Sequence, residues 1–440
     1  MSTREIFRLP GKRMLRIGAS VMVCNYLVAI ISGGINFYLA ARLGEDGYGY
    51  YSYAMLISTF VFMVASFGAE RTLVRDLIQS EHRSSVMTAS IVLRMLIGAV
   101  ATVAALIWLM AGGGVGGVWT GSMGILLGLA IAWSPNAWFD ANREMHVVSL
   151  LQLAEKVLAG VAIVALVGSG PQYALAAIAS VAVLRVVNSV VQWSLVRRQT
   201  RLDFRDERLW REAHGLWVDN RFVFLATFAM MLTYSGQMLL AKQGAANFGQ
   251  FTLALQVITF MVVGQNQLAR LFAPRAAEMT AAGCPGQATR RELMRQLAMV
   301  SIASLCLVAP VFFAGPWLID LFLPGRYEHA GTLLQILCLY GFACGPALVI
   351  NRFTIGLRQE RWFFVIAVTR GALSLALYPL AVPLWGAYAV AWGYFINHLG
   401  AMSAQVVCIL GATREPQDQP EHLEQPAPDA ASLRDERPAA

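Results

Sequence analysis

The chain has 440 residues, 57% of them hydrophobic and only 14% charged, with a formal charge of +8 and a mean hydropathy of +0.56. That balance leaves too little polar surface to cover a soluble core of this size, so a soluble globular protein is excluded. The positive charge follows membrane topology, as the loop counts below show, and a nucleic-acid partner is excluded with it.

A helix that crosses hydrocarbon about 30 Å thick needs roughly 20 apolar residues. Twelve such spans are predicted, at approximately 17–41, 49–69, 86–110, 119–139, 147–168, 172–196, 221–241, 248–268, 297–322, 330–352, 362–382 and 386–410. The alternating ten-residue segments of a membrane barrel are not seen. The first span carries Asn25, Ala29, Ser32 and Asn36 at steps of four, three and four, which puts them on one face. The second begins beside Tyr48, Tyr50, Tyr51 and Tyr53, an interfacial aromatic cluster, and ends at Glu70–Arg71 with Arg75 close behind.

The third span bears Ser90, Arg94, Gly98 and Ala101 on one stripe, and the fourth contains Trp133–Ser134–Pro135–Asn136. Proline removes a backbone donor there and predicts a kink. The fifth carries Glu155–Lys156 about two turns from its start, and the sixth carries Arg185, Asn188 and Gln192. Residues 197–220 are charged and amphipathic, and are expected to form a partly helical linker on the membrane surface. Beyond it come Tyr234 and Gln237 in the seventh span, Gln256, Thr259, Val263 and Gln267 in the eighth, Arg370, Ser374 and Tyr378 in the eleventh, and Asn397, Ala401 and Gln405 in the twelfth. The tail, 411–440, has seven acids and three arginines and is expected to be disordered. Five of the six cysteines fall in predicted spans and Cys284 in a loop, without metal or disulfide spacing.

An internal repeat organises these spans. Leu39–Ala54 (LAARLGEDGYGYYSYA) and Leu240–Ala254 (LAKQGAANFGQFTLA) share a register at a constant offset of 200. It pairs Arg42 with Lys242, Gly44 with Gly244, Tyr48 with Phe248, Gly49 with Gly249, Tyr51 with Phe251 and Arg75 with Arg275. A duplicated chain is the reading. With an even number of spans per copy, both copies enter the membrane the same way and form parallel six-helix halves, 17–196 and 221–410, joined by the linker. The cleft between them is the natural transport site.

Of the 34 Lys and Arg residues, 28 lie in segments on the side of the N-terminus (1–16), the linker and the tail, whereas Arg42, Lys242 and Arg326 lie opposite. The positive-inside rule then puts both termini in the cytoplasm, and no small-residue cleavage site follows the N-terminal basic residues. Arg94, Arg185 and Arg370 fall inside spans. Arg94 and Arg370 sit about 12 Å from the inner end at the rise of an α-helix, and an arginine at that depth requires a wet cavity, an anion or a carboxylate. Two readings stand here: the three arginines line a cationic cleft, or Glu155 holds Arg94 or Arg185 in helix packing while Arg370 snorkels. Asn25, Asn36, Asn188, Gln237, Gln256 and Asn397 are further candidates for the cleft, although such side chains often only join helices. Arg42 and Lys242 at one end, and Arg71, Arg75 and Arg275 at the other, are candidate entrance or gate residues. No acid, histidine or serine cluster has catalytic spacing, so an enzyme is not expected, nor is a cofactor or metal.

The patterns ARLGEDGYGYYSYA, FGAERTLVRDL and FLPGRYEHAGTLLQIL at 322–337 resemble the O-antigen and exopolysaccharide flippases of the multidrug/oligosaccharidyl-lipid/polysaccharide exporter superfamily. The resemblance covers roughly 15–410. It implies an all-α, polytopic, V-shaped exporter of twelve transmembrane helices. Such a protein moves undecaprenyl-pyrophosphate-linked oligosaccharide to the periplasmic leaflet of the bacterial inner membrane, with a polysaccharide polymerase and a chain-length regulator as partners. Many relatives carry an acid near the position of Gln237, where this chain has an amide. A multidrug cation antiporter of the same superfamily is the competing expectation, and a membrane-embedded glycosyltransferase a more distant one.

Overall fold

A computed structural model describes residues 12–412 except 69–72, 75, 79, 81, 114, 143, 201, 206, 282–285 and 357–359. Arg71, Arg75, Cys284 and the tail from 413 onward lie outside the described residues, and Gln267 and Arg275 fall within 267–281, of which only the backbone is described. The helices are α1 (Lys12–Ala65), α2 (Arg83–Trp108), α3 (Val118–Ala132), α4 (Asn136–Ala141), α5 (Met145–Leu166), α6 (Ala174–Gln199), α7 (Leu209–Met231), α8 (Ser235–Gln243), α9 (Ala245–Ala281), α10 (Gly286–Phe322), α11 (Ala330–Gly356) and α12 (Glu360–Ala412). Among the described residues there is no strand.

Among the described residues, ten helical stretches are long and apolar enough to cross a membrane. Two of them, Val23–Ala65 and Arg361–Gly411, run to 43 and 51 residues, twice what one crossing requires. Each is broken once by a glycine with positive φ, Gly44 (φ 71°) in α1 and Gly386 (φ 53°) in α12. A side chain is strained in that backbone region and glycine is not. The kink expected at Pro135 is also present, since α3 stops at Ala132 and α4 restarts at Asn136.

The linker departs from expectation. Instead of a surface segment separate from the next span, α7 starts at Leu209 and continues without a break to Met231. No proline interrupts 202–231, and Leu209, Ala213 and Leu216, one helical face, are buried with Val86 and Met87 of α2. Trp217 stacks on Phe67 just beyond α1, with ring centroids 5.1 Å apart.

The main core sits at the end of the bundle that carries Gly44 and Gly244, where Leu39, Tyr48 and Tyr51 of α1 meet Phe248 and Phe251 of α9. Hydrogen bonds between distant parts of the sequence tie this end together. Tyr327 donates to the Ala40 carbonyl (3.1 Å), Arg326 to the Ala41 carbonyl (2.7 Å) and Gln250 to Glu45 Oε2 (3.0 Å). Lys242 Nζ sits 4.3 Å from the ring centroid of Trp108.

Candidate functional site

The interior holds a cavity of about 520 Å³ bounded by α1, α5, α6, α8, α9, α11 and α12. Its wall has five tyrosines, Tyr48, Tyr51, Tyr234, Tyr340 and Tyr394. It also has the amides Asn36, Gln237 and Gln256 and the hydroxyls Ser32, Ser52, Thr59, Thr252 and Thr259. The α1 stripe at steps of four therefore delivers Ser32 and Asn36 to the cavity, as the sequence predicts. Asn36 donates to the Ser32 carbonyl at 2.8 Å and fixes its own orientation. Asn25, two turns earlier, is half-buried and off the cavity wall. Gln237 is buried and donates to the Tyr394 hydroxyl. Tyr394 in turn meets Tyr340 edge-on at 5.2 Å and Tyr234 at 6.2 Å, so the C-terminal wall is a continuous aromatic sheet.

Among the described residues that line this cavity, one is charged, and it is Lys156. The three arginines are elsewhere, which corrects the expectation that they face the cleft. Arg94 is buried and donates through Nη1 to the carbonyls of Ala132 (2.8 Å) and Ser134 (3.5 Å). These are acceptors left over where α3 ends before Pro135, so Arg94 caps a helix C-terminus. Arg185 donates to Glu155 Oε2 at 2.9 Å, and Asn188 donates to the same oxygen. Gln192 extends the chain to Asn188 Oδ1 at 3.2 Å. Glu155 is thus held in helix packing between α5 and α6, the second of the two readings for that residue.

Arg370 stands behind the aromatic sheet. Its Nε donates to Asn397 Oδ1 at 3.0 Å, and Asn397 Nδ2 donates to Ser374 Oγ at 2.7 Å. Tyr234, Tyr340 and Tyr378 lie near enough to interact with its charge. Asn188, Asn397 and the three arginines accordingly hold helices together, while Asn36, Gln237 and Gln256 reach the cavity.

The residue that sequence reasoning passed over is Lys156, placed there in the fifth span beside Glu155 and given no part in the cleft. Its Nζ is 3.7 Å from Glu155 Oε1, and its side chain keeps 28% exposure against 3% for Glu155. Glu155 is already matched by Arg185, so the group of three carries one net positive charge and Lys156 presents it to the cavity. The signal was in the helix period: adjacent residues on a helix do not share a face. Of the gate candidates, Arg42 is exposed, 3.3 Å from Ser169 Oγ and 5.5 Å from the Tyr38 ring centre, whereas Lys242 reaches Trp108.

No family model and no curated protein matches the chain. Solved structures do. The lipid II flippase MurJ in an inward closed conformation superposes with a TM-score of 0.66 at 10% identity, covering 88% of this chain and 87% of that one. The MATE multidrug transporter DinF-BH, in a ligand complex, gives 0.65 at 15% identity over 92% and 97%. An outward-facing MATE family transporter of the MOP superfamily gives 0.60 at 15% identity over 91% and 95%. At these identities the likeness is one of fold: the chain shares the all-helical fold of these solved structures.

Proposed function

We propose that the chain is a flippase for a lipid-linked oligosaccharide. It takes an undecaprenyl-pyrophosphate-linked sugar unit from the cytoplasmic leaflet and releases it at the periplasmic leaflet for O-antigen, capsule or exopolysaccharide synthesis. The observation that carries this reading is the cavity lining: one cation, five tyrosines, amides and hydroxyls, and among its described residues no carboxylate. Amides and hydroxyls offer both donors and acceptors to sugar hydroxyls, tyrosine faces offer apolar area with a polar tip, and the cation pairs with a phosphate. The same fold serves multidrug transporters, but a cavity for cationic drugs has use for a carboxylate, and Glu155 is turned away onto Arg185.

The step requires binding and release without covalent chemistry. The parallel halves 17–196 and 221–410, with termini and linker in the cytoplasm, would alternate between two openings, the one at Gly44 and Gly244 being closed here by the ties described above. Purified protein in liposomes, supplied with fluorescent undecaprenyl-pyrophosphate-linked disaccharide in one leaflet, tests the reading. Protein-dependent transfer that Lys156→Met reduces at least about tenfold, a loss of about 1.4 kcal/mol, is the expected result. Transfer of a cationic rhodamine dye in place of the lipid-linked sugar would overturn it in favour of multidrug transport.

A further inference from the structure

A second hollow, of about 510 Å³ and open along the surface, lies on the flank of the bundle between α1 and α5. Ile31, Val157, Gly160, Val161, Val164 and Ala165 line it, and every side chain among them is aliphatic. Val161 and Val164 are each 63% exposed, so the hollow faces the hydrocarbon. Gly160 creates the space. A Cβ built there would meet only Ile35, at 3.5 Å.

Ile35, which stands over Gly160, also lines the central cavity, so cavity and hollow adjoin on either side of it. On α5 the same division runs along the helix. Lys156 faces the cavity and its neighbour Val157 the hollow, as a turn of about 100° per residue requires. The bundle therefore presents, side by side across Ile35, a cation in a polar chamber and an aliphatic trough in the membrane.

We infer that this trough seats the first isoprene units of a polyprenyl chain whose phosphate rests on Lys156, so that the head group is carried inside while the tail stays in lipid. The inference rests on the flippase reading and adds the route of the tail. An ordinary bilayer lipid would also fill a dent in the surface. Only a chain tied to the phosphate would link occupancy of the trough to Lys156, and the test reads that link.

Full-length protein in nanodiscs is titrated with undecaprenyl pyrophosphate and with methyl pyrophosphate, which carries the same head group without an isoprene tail. Gly160→Leu and Val164→Trp fill the trough. Val164 faces lipid, so its replacement leaves the helix packing intact, and thermal unfolding of both variants verifies this. The expected result is that both variants lower undecaprenyl pyrophosphate affinity at least about tenfold and bring it down to that of methyl pyrophosphate, which they leave unchanged. Lys156→Met is expected to weaken both ligands. Unchanged undecaprenyl pyrophosphate binding in the trough variants overturns the tail route while leaving the head-group reading standing, and equal weakening of both ligands by those variants overturns it too. Failure of the parent protein to bind either ligand sinks the flippase reading itself.

Discussion

Gly49 of α1 lies against the backbone of Ala245 at the start of α9 so closely that a Cβ on Gly49 would fall 2.1 Å from the Ala245 carbonyl oxygen. The converse contact exists 200 residues on, where a Cβ on Gly249 would fall 2.4 Å from the Glu45 carbonyl oxygen. The two contacts exchange under the same offset of 200 that relates the repeated sequences, so α1 and α9 cross with backbone touching backbone at the closed end. Neither position has room for any side chain.

Gly49→Val and Gly249→Val are therefore expected to force this end apart. Overpacking at such a contact costs about 1–3 kcal/mol, which shifts a two-state population by roughly 5–150-fold. Spin labels at Asp46→Cys and Asn247→Cys, both exposed positions, would read the change. Longer label distances in the valine variants are the expected outcome, and an unchanged distance distribution would show that the glycines do not hold the closure.

Lys242 and Trp108 are a second fastening of the same end, and a cation over an indole contributes about 0.5–2 kcal/mol. Trp108→Leu should weaken the closure by less than the glycine replacements. Lys242→Arg should keep it, because a guanidinium also stacks on an aromatic face. The same pair of labels compares the two.

Glu155 and Arg185 predict a non-additive pattern of stability. Removing one member of a buried pair leaves an uncompensated charge and costs about 3–5 kcal/mol. Arg185→Met alone should thus lower the thermal midpoint more than Arg185→Met combined with Glu155→Gln. An additive double variant would show that the pair is not coupled.

Arg94 and Lys156 are expected to separate cleanly when export is normalised to the amount of folded protein. Arg94→Met removes a cap from α3 and should reduce protein level while leaving activity per molecule near that of the parent. Lys156→Met should do the reverse. Quantifying membrane-inserted protein beside polymer export distinguishes the two, and Arg94→Met with normal levels and no export would return Arg94 to the substrate.

The helices were legible because hydrocarbon thickness imposes one length on all of them, and proline and glycine mark their breaks directly in sequence. Asn36 and Gln256 were legible for a related reason, since a stripe with helical period points one way. Arginine partners were not. Depth in the membrane requires that Arg94 be satisfied, yet the acceptors that satisfy it are carbonyls freed by a break near Pro135, some 40 residues away in sequence. Composition counts carboxylates as partners for arginine and has no way to count backbone oxygens. Lys156 was hidden for a different reason: the reading of the fifth span followed the acid Glu155 and its arginine partners, while the helix turns the neighbouring Lys156 to the cavity.

The unbroken run of α7 from Leu209 to Met231 changes what the connection between the two sets of helices can do mechanically. A loose tether would let each set move without informing the other, but a single rod converts rotation at one end into displacement at its opposite tip. At about 1.5 Å per residue α7 is roughly 34 Å long, so a tilt of about 10° sweeps its tip roughly 6 Å. Phe67, held with φ of 58° and stacked on Trp217, lies where that rod presses on the end of α1. The segment from Leu209 to Trp217 is in effect a tiller, and whatever grips it would steer the helices packed against it.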